Sequence, residues 1–305
     1  RSTLFPYTTL FRSGLVFWTT AEPVSHAYKA TPIHKIGTQA AINDAFQFAF
    51  FHWGIHAWAV YSIVALVFAY FNFHKGYPGL VSATLVPIFG EKRMRGPIGS
   101  AIDVLAVIAT VTGVAATLGF GALQINEGLH YLFKVPSHFG TQVIIIIIAT
   151  ILFSWSAWSG IDKGIKTLSN INMILAFIVL IGLFLVGPTL YILNIFTNGL
   201  GNYIFNFFSM SLRIPMDGGA KFQWVQNWTI FYWAWWVSWA PFVGIFIARV
   251  SRGRTIKEFI LGVLFAPALV SFFFFAVFGG AAVYLQHSGI ANIAKKQQKL
   301  QHLPL

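Results

Sequence analysis

The sequence predicts an all-α integral membrane protein, and three observations support that fold class. Of the 305 residues, 57% are hydrophobic and only 9% are charged, with a mean hydropathy of +0.70. A typical soluble domain carries about 25% charged residues. The apolar residues also gather into runs of about 20, the length that crosses a bilayer as a helix. A soluble fold lacks the polar surface to cover so many such runs.

Seven apolar segments are predicted to be helices, the first of them short. They span residues 14–27, 44–73, 98–123, 141–158, 168–186, 224–250 and 258–285. Between the fifth and sixth, residues 192–213 carry an Asn at every fourth position: Asn194, Asn198, Asn202 and Asn206. This spacing favours an amphipathic helix lying at the outer interface. An ordinary polar loop is the alternative.

Basic residues divide unequally between the two sets of loops. Loops 74–97, 159–167 and 249–257 together hold ten Lys and Arg, whereas the intervening loops hold five. The richer side is therefore predicted to be cytoplasmic. This orientation explains the net charge of +12, because the basic residues form no patch of the kind that binds nucleic acid.

Several other function classes lack their motifs. The chain has no cysteine, which excludes disulfides and thiolate chemistry. It contains no phosphate-binding G-x-x-x-x-G-K-[ST] loop and no H-E-x-x-H zinc motif. We therefore expect no enzyme activity, no cofactor, no metal site and no ATP-driven transport within this chain.

Aromatic residues on two segments give the strongest functional signal. On a helical wheel, five rings of the sixth segment fall within about 100° of arc: Trp228, Tyr232, Trp235, Trp236 and Trp239. Three rings of the second segment fall within about 140° of arc: Trp53, Trp58 and Tyr61. Each segment thus presents an aromatic face well inside the predicted membrane span.

These aromatic faces have two interpretations of equal weight. The first is helix packing, although packing in membranes favours small residues. The second is a ligand box for a trimethylammonium group, which has no N–H to donate and spreads its charge over methyl groups. Trp and Tyr faces attract such a cation electrostatically. A belt at the membrane interface explains only the rings at the segment ends.

A few polar residues near membrane depth could also carry function. Glu22 and Asp103 could be coupling or gating residues, although helix-end roles are favoured for both. His52 and His56 lie one turn apart, and packing is favoured over a metal or proton role. Pro241 follows the aromatic face directly, where it predicts either a broken helix or a simple kink.

Several motifs resemble those of the betaine/choline/carnitine transporters. The most specific is N-W-T-I-F-Y-W-A-W-W-V-S-W at 227–239, and further similar motifs lie at 18–23, 51–58, 119–124, 241–249 and 251–253. The resemblance covers about residues 14–290. It implies a multi-pass protein of the plasma membrane with the twelve-helix, inverted-repeat LeuT-type fold, assembled as a homotrimer.

The resemblance also predicts that the chain is a fragment. Its seven segments correspond to family helices three to nine, within a transporter domain at 14–290. Residues 1–13 resemble a translated sequencing adapter and are expected to be non-native. Residues 291–305 are a tail of uncertain origin.

The resemblance implies substrate contacts for six residues: Trp53, Trp58, Tyr61, Trp235, Trp236 and Trp239. Four of them match the aromatic box of the family: Trp53, Trp58, Tyr61 and Trp236. The implied activity is secondary transport of a quaternary ammonium osmolyte. Glycine betaine is the first choice, and choline, carnitine and ectoine are the alternatives. A membrane sensor or a channel-like protein, with packed rings and no transport, is the alternative of another class.

The coupling ion is less well defined by the resemblance. Thr110 and Phe242 match sodium-site positions of the family, but Val114 stands where the second Thr is expected. Sodium is therefore one possible coupling ion, and proton coupling or exchange is the other.

Overall fold

A computed structural model describes residues 14–158, 166–216 and 218–295, and helices make up most of them. Within those ranges the chain contains no β-strand. The predicted non-native residues 1–13, most of the loop 159–167 and residues 296–305 of the predicted tail lie outside the described residues.

The longer helices follow the apolar segments. They are α1 Gly14–Tyr28, α2 Gln39–Trp53, α3 Ile55–Ala69, α4 Pro97–Phe133, α5 Phe139–Trp158, α6 Lys166–Val186, α7 Thr189–Phe205, α8 Phe231–Val250 and α9 Ile256–Phe274. Short helices lie at Val81–Thr84, Val86–Phe89, Glu91–Met94, Phe207–Ser211, Ala220–Trp224 and Gly280–His287. π-Helical turns at Tyr70–His74, Val225–Ile230 and Phe275–Gly279 extend α3, lead into α8 and follow α9.

Each of the seven predicted segments is helical. Within the described residues, four helical runs are long and apolar enough to cross a membrane: 39–74, 97–133, 220–250 and 256–287. The helices α6 and α7, bent by 109° at Gly187 and Pro188, form a fifth candidate when taken together. Helices α1 and α5 are apolar but shorter than those runs.

The Asn-bearing stretch is a helix, as its four-residue spacing predicted. Helix α7 buries Ile192, Ile195, Gly199 and Tyr203 on one side. Asn194 and Asn198 are exposed on the other. The helix excludes the alternative of a polar loop, while its amphipathic character and its place at the outer interface stay predictions.

The prolines do not break the helices that contain them. Pro23, Pro241 and Pro267 lie inside α1, α8 and α9, each of which continues past its proline. The continuity of α8 excludes the broken-helix interpretation of Pro241. The interruption within the second predicted segment falls instead at Gly54, between α2 and α3.

The described chain forms two compact units. The first contains residues 50–114 and 208–272, and the second contains residues 14–49, 115–207 and 273–295. In the first unit, α3 and α8 pack side by side, and a Cβ at Gly244 would lie 2.7 Å from Val64 Cγ1. In the second, a Cβ at Gly279 would lie 2.5 Å from the Thr19 carbonyl oxygen. Small residues thus allow close helix approach in both units.

Candidate functional site

The aromatic face of α8 forms a stack of nearly parallel rings. The rings of Trp235 and Trp236 lie 5.5 Å apart with an angle of 2° between their planes. The Tyr232 ring lies 6.0 Å from each of them, tilted by 15° and 17°. The rings of Tyr232, Trp235 and Trp236 therefore form one continuous stack, the aromatic wall, on the helix face that the sequence spacing predicted.

The rings of α2 and α3 meet this wall at steep angles. The Trp53 ring lies 4.9 Å from the Trp236 ring, and the Tyr61 ring lies 5.9 Å from it, both at 82°. The Trp58 ring lies 5.7 Å from the Tyr61 ring at 72°. The four residues predicted as an aromatic box thus form one connected set, with Trp236 in contact with two of the other three.

The α2–α3 side of this set is almost fully shielded from solvent. Trp53 and Trp58 are 6% exposed and Tyr61 is 5% exposed, while Trp235, Trp236 and Trp239 are half-buried. A cation held against shielded aromatic faces gains more than one held at an exposed surface, about 2 kcal/mol when desolvated. Perpendicular rings of this kind offer π faces from several directions, which suits a compact cation.

Among the indole N–H groups of the site, those of Trp236 and Trp239 differ in their partners. Trp236 Nε1 donates a hydrogen bond of 3.0 Å to the backbone carbonyl of His52. Trp239 Nε1 is buried, and no group in the described residues accepts a hydrogen bond from it. A Cβ at Gly113 would lie only 2.9 Å from this nitrogen, so the glycine makes room for the indole.

Tyr232 belongs to the site although the sequence analysis placed it only on the aromatic face. It is completely buried and lies 5.7 Å from the Trp53 ring. Its ring also stacks on the His52 ring at 4.8 Å. The signal was its wheel position beside Trp235 and Trp236, which could have marked it as a member of the site.

The two predicted ion-binding residues do not assemble a full set of oxygen ligands. The Thr110 hydroxyl donates to the Ala106 carbonyl of its own helix at 2.9 Å. The Phe242 ring is half exposed and lies 6.1 Å from the Trp239 ring. Hard cations take several oxygen ligands, and of Thr110, Val114 and Phe242 only Thr110 supplies a side-chain oxygen. The sodium site therefore stays a prediction.

The other polar candidates occupy ordinary structural positions, with one exception. Hydrogen bonds join His52 Nε2 to Thr229 Oγ1 at 3.0 Å and His56 Nε2 to Ser211 Oγ at 2.8 Å.

Asp103 accepts hydrogen bonds from the Ser82 backbone N–H at 2.9 Å and hydroxyl at 2.6 Å. It therefore supports the start of the short helix Val81–Thr84, a helix-end role as favoured. Glu22 is the exception, because it lies inside α1, fully buried, with its carboxylate 3.2 Å from His26 Nε2.

Comparison with known proteins identifies a family for the chain. The sequence model of the betaine/carnitine/choline family of transporters (BCCT) matches residues 5–303. Similar proteins are the glycine betaine transporter OpuD of Bacillus subtilis (54% identical over 298 residues), the ectoine/hydroxyectoine transporter of Virgibacillus pantothenticus (45% over 306) and a probable glycine betaine transporter of Desulfitobacterium hafniense (43% over 272). These alignments cover 96%, 97% and 89% of this chain but 58%, 60% and 53% of the relatives.

Proposed function

Because the chain belongs to the betaine/carnitine/choline family of transporters, we propose that it imports a quaternary ammonium osmolyte, with glycine betaine as the preferred substrate. Proteins of this family are multi-pass transporters of the plasma membrane rather than enzymes. The chain spans between 53% and 60% of the length of these relatives. Transport activity, the substrate and assembly as a homotrimer are therefore what we propose for the full-length protein.

The observation that carries the proposal is the arrangement of rings around Trp236. Its indole lies in edge contact with Trp53 and Tyr61, which come from two different helices. Trimethylammonium cannot be held by hydrogen bonds, so a set of shielded aromatic faces is the chemistry that binds it. A carboxylate cage would also attract the cation, but at a high cost of desolvation inside a membrane.

The buried N–H of Trp239 supports a substrate that carries an acceptor at its other end. Trp239 follows Trp235 and Trp236 by four and three residues, so the three side chains lie on neighbouring positions of one helix face. A carboxylate within reach of this N–H would satisfy a donor that is otherwise costly to bury. Glycine betaine and carnitine carry such a carboxylate, whereas choline carries a hydroxyl group.

The ectoine/hydroxyectoine transporter among the relatives favours a second substrate class. That protein is 45% identical to this chain, and ectoine also joins a delocalised cation to a carboxylate. The alternative is therefore an ectoine, choline or carnitine transporter, coupled to protons or working by exchange, since Val114 replaces an expected sodium ligand.

The test is uptake of radiolabelled glycine betaine by cells that lack their own osmolyte uptake and express the gene encoding this chain at full length. Wild type, Trp236→Ala and Trp155→Ala are compared with and without a sodium gradient. Trp155 is 68% exposed on α5 and serves as the matched control. We expect Trp236→Ala to raise KM by about 30-fold, which corresponds to the loss of one desolvated cation–π contact, with no change for Trp155→Ala.

Each outcome of this assay distinguishes between the candidate functions. Sodium-dependent uptake would assign sodium coupling despite Val114, and uptake without sodium would assign proton coupling or exchange. Uptake of ectoine with no uptake of betaine would move the substrate to the second class. If none of betaine, choline, carnitine and ectoine is taken up, the transport proposal fails and the sensor or channel-like alternative takes its place.

A further inference from the structure

The second membrane segment is interrupted between two of its aromatic site residues. Helix α2 ends at Trp53 and α3 begins at Ile55, with Gly54 between them at φ −93° and ψ −145°, outside helical geometry. Hydrogen bonding resumes with the Trp58 N–H, which donates to the Gly54 carbonyl at 3.3 Å. On an unbroken helix Trp53 and Trp58 would point about 140° apart. The break at Gly54 therefore releases the Trp53 and Trp58 side chains from the directions that an unbroken helix would give them.

A carbonyl at this break binds the central indole of the site. His52 lies in the last turn of α2, where the carbonyl groups point beyond the end of the helix. Its carbonyl oxygen accepts the Trp236 Nε1–H hydrogen bond at 3.0 Å. The Trp236 ring in turn contacts Trp53 before the break and Tyr61 after it. One hydrogen bond therefore ties α8 to the interruption of the second segment.

We propose that Gly54 is a positioning residue. Its break in the helix directs the His52 carbonyl to the Trp236 indole, and this hydrogen bond fixes the orientation of the Trp236 ring within the aromatic wall of α8. The inference rests on the proposed function, because it concerns the same site. Gly54 itself needs no contact with substrate.

Ring packing alone does not fix which way the Trp236 indole is turned. Edge contacts with Trp53 and Tyr61 limit where the Trp236 ring can lie, but they discriminate weakly between an indole and the same indole turned over. The N–H bond discriminates between them, because only one orientation brings Nε1 to the carbonyl. Ala favours a continuous helix far more than Gly does. In a continuous helix the His52 carbonyl would point along the helix to the N–H of His56.

The first experiment measures the hydrogen bond itself in the full-length protein, labelled with ¹⁵N in its Trp indoles. The Trp236 indole signal is assigned by its loss in Trp236→Phe, and its exchange with deuterated solvent is followed by NMR. We expect slow exchange in wild type and at least tenfold faster exchange in Gly54→Ala. Gly262→Ala is the matched control, because nothing lies within 4 Å of a Cβ at Gly262, and it should exchange as slowly as wild type.

The second experiment is a double-mutant cycle on glycine betaine binding. Gly54→Ala alone should weaken binding by about fivefold to tenfold, the range expected for one lost hydrogen bond. In a Trp236→Phe background, which already lacks the N–H, the same substitution should change affinity less than twofold, because residues that act together are not additive.

Several results would overturn the inference. Unchanged indole exchange in Gly54→Ala would show that the break does not hold the Trp236 bond. Fully additive effects in the cycle would show that Gly54 acts on binding through something else. If Gly54→Ala does not fold, wild type still decides, since a Trp236 indole that exchanges as fast as the indole of the exposed Trp155 would mean that the bond is not stable. If wild type binds no betaine, the proposed function fails, while the exchange data still test the hydrogen bond.

Discussion

At the scale of single residues, Trp239 differs from Trp236 in the partner of its indole N–H. Its indole N–H is buried without an acceptor in the described part of the chain, although Trp side chains usually place this group against a partner. The neighbouring Trp236 has such a partner in the His52 carbonyl. We therefore propose the Trp239 N–H as the donor that meets the polar end of a substrate.

Replacing Trp239 by Phe should therefore separate substrates by their polar end. We expect Trp239→Phe to weaken binding of glycine betaine by roughly tenfold or more, since hydrogen bonds to charged groups contribute about 1.5–3 kcal/mol. Choline binding should change less, because its hydroxyl oxygen is a neutral acceptor, and a hydrogen bond to a neutral group contributes less than one to a carboxylate. Competition binding to the purified full-length protein measures both affinities in one preparation.

The control for this variant is Trp155→Phe, at an exposed position on α5, which should leave both affinities unchanged. Equal losses for betaine and choline in Trp239→Phe would contradict the assignment, because they would mean that Trp239 supports the site through its ring alone.

At the scale of helices, the contact of α3 with α8 depends on Gly244. A Cβ at this position would lie 2.7 Å from Val64 Cγ1 and 3.3 Å from the Ala65 backbone nitrogen. Since the Ala65 backbone cannot move independently of α3, Gly244→Ala should push the two helices apart. We expect a loss of about 1–3 kcal/mol, the usual cost of overpacking, seen as a lower midpoint in thermal unfolding of the detergent-solubilised protein.

Two further variants make the Gly244 prediction specific. Gly262→Ala places the same methyl group in open space, so it should be neutral or slightly stabilising through helix propensity. Val64→Ala combined with Gly244→Ala should recover part of the lost stability, because it removes the side chain that is overlapped. An unfolding midpoint for Gly244→Ala equal to that of wild type would show that α3 and α8 are not so close.

The helices and the aromatic face were predictable from the sequence, and the interruption at Gly54 was not. Apolar runs locate a span because every residue facing lipid must be apolar, and the spacing of Tyr232, Trp235 and Trp236 fixes a face because a helix turns by a constant angle. A single Gly within an apolar run is compatible with an intact helix. The His52 carbonyl beside the break is bound by Trp236, which lies 184 residues further along the chain, and no local pattern predicts such a contact.

Contacts between residues far apart in the sequence also explain the other features that the sequence did not predict. Pro241 is the stronger local signal for a break, yet α8 continues through it. The contact of Trp239 with Gly113 joins two helices, and no periodicity within either helix specifies which neighbour it meets. Resemblance to the family predicts the box residues, but no pattern in the sequence predicts the steep angles at which their rings meet.

At the scale of the whole molecule, the distribution of basic residues predicts its orientation in the membrane. Within the first unit, the Arg252 guanidinium lies 5.4 Å from the centre of the Phe73 ring. This contact joins the end of the second predicted segment to the loop 249–257. The two most basic loops of the chain, 74–97 and 249–257, therefore lie at the same end of this unit, as the alternation of charge predicted.

Single cysteines can test this orientation, because none of the 305 residues is a cysteine. Glu91→Cys and Lys257→Cys should react with a membrane-impermeant maleimide only from the cytoplasmic side, because basic loops are retained there. His138→Cys and Ser288→Cys lie on the side with fewer basic residues, which is predicted to be outside, and should react in intact cells. The readout is a gel shift before and after the inner face is made accessible.

The pattern of labelling also counts the spans between the two basic loops. Glu91 and Lys257 can face the same side only if an even number of crossings separates them, which α4, α5, α6 and α8 provide. Of these four helices, α5 is the critical test, because its 20 residues are just enough to cross and it lacks the extra turns of the 37-residue α4. If α5 did not cross, Glu91→Cys and Lys257→Cys would react from opposite sides, and the predicted order of seven helices would be wrong from that point onward.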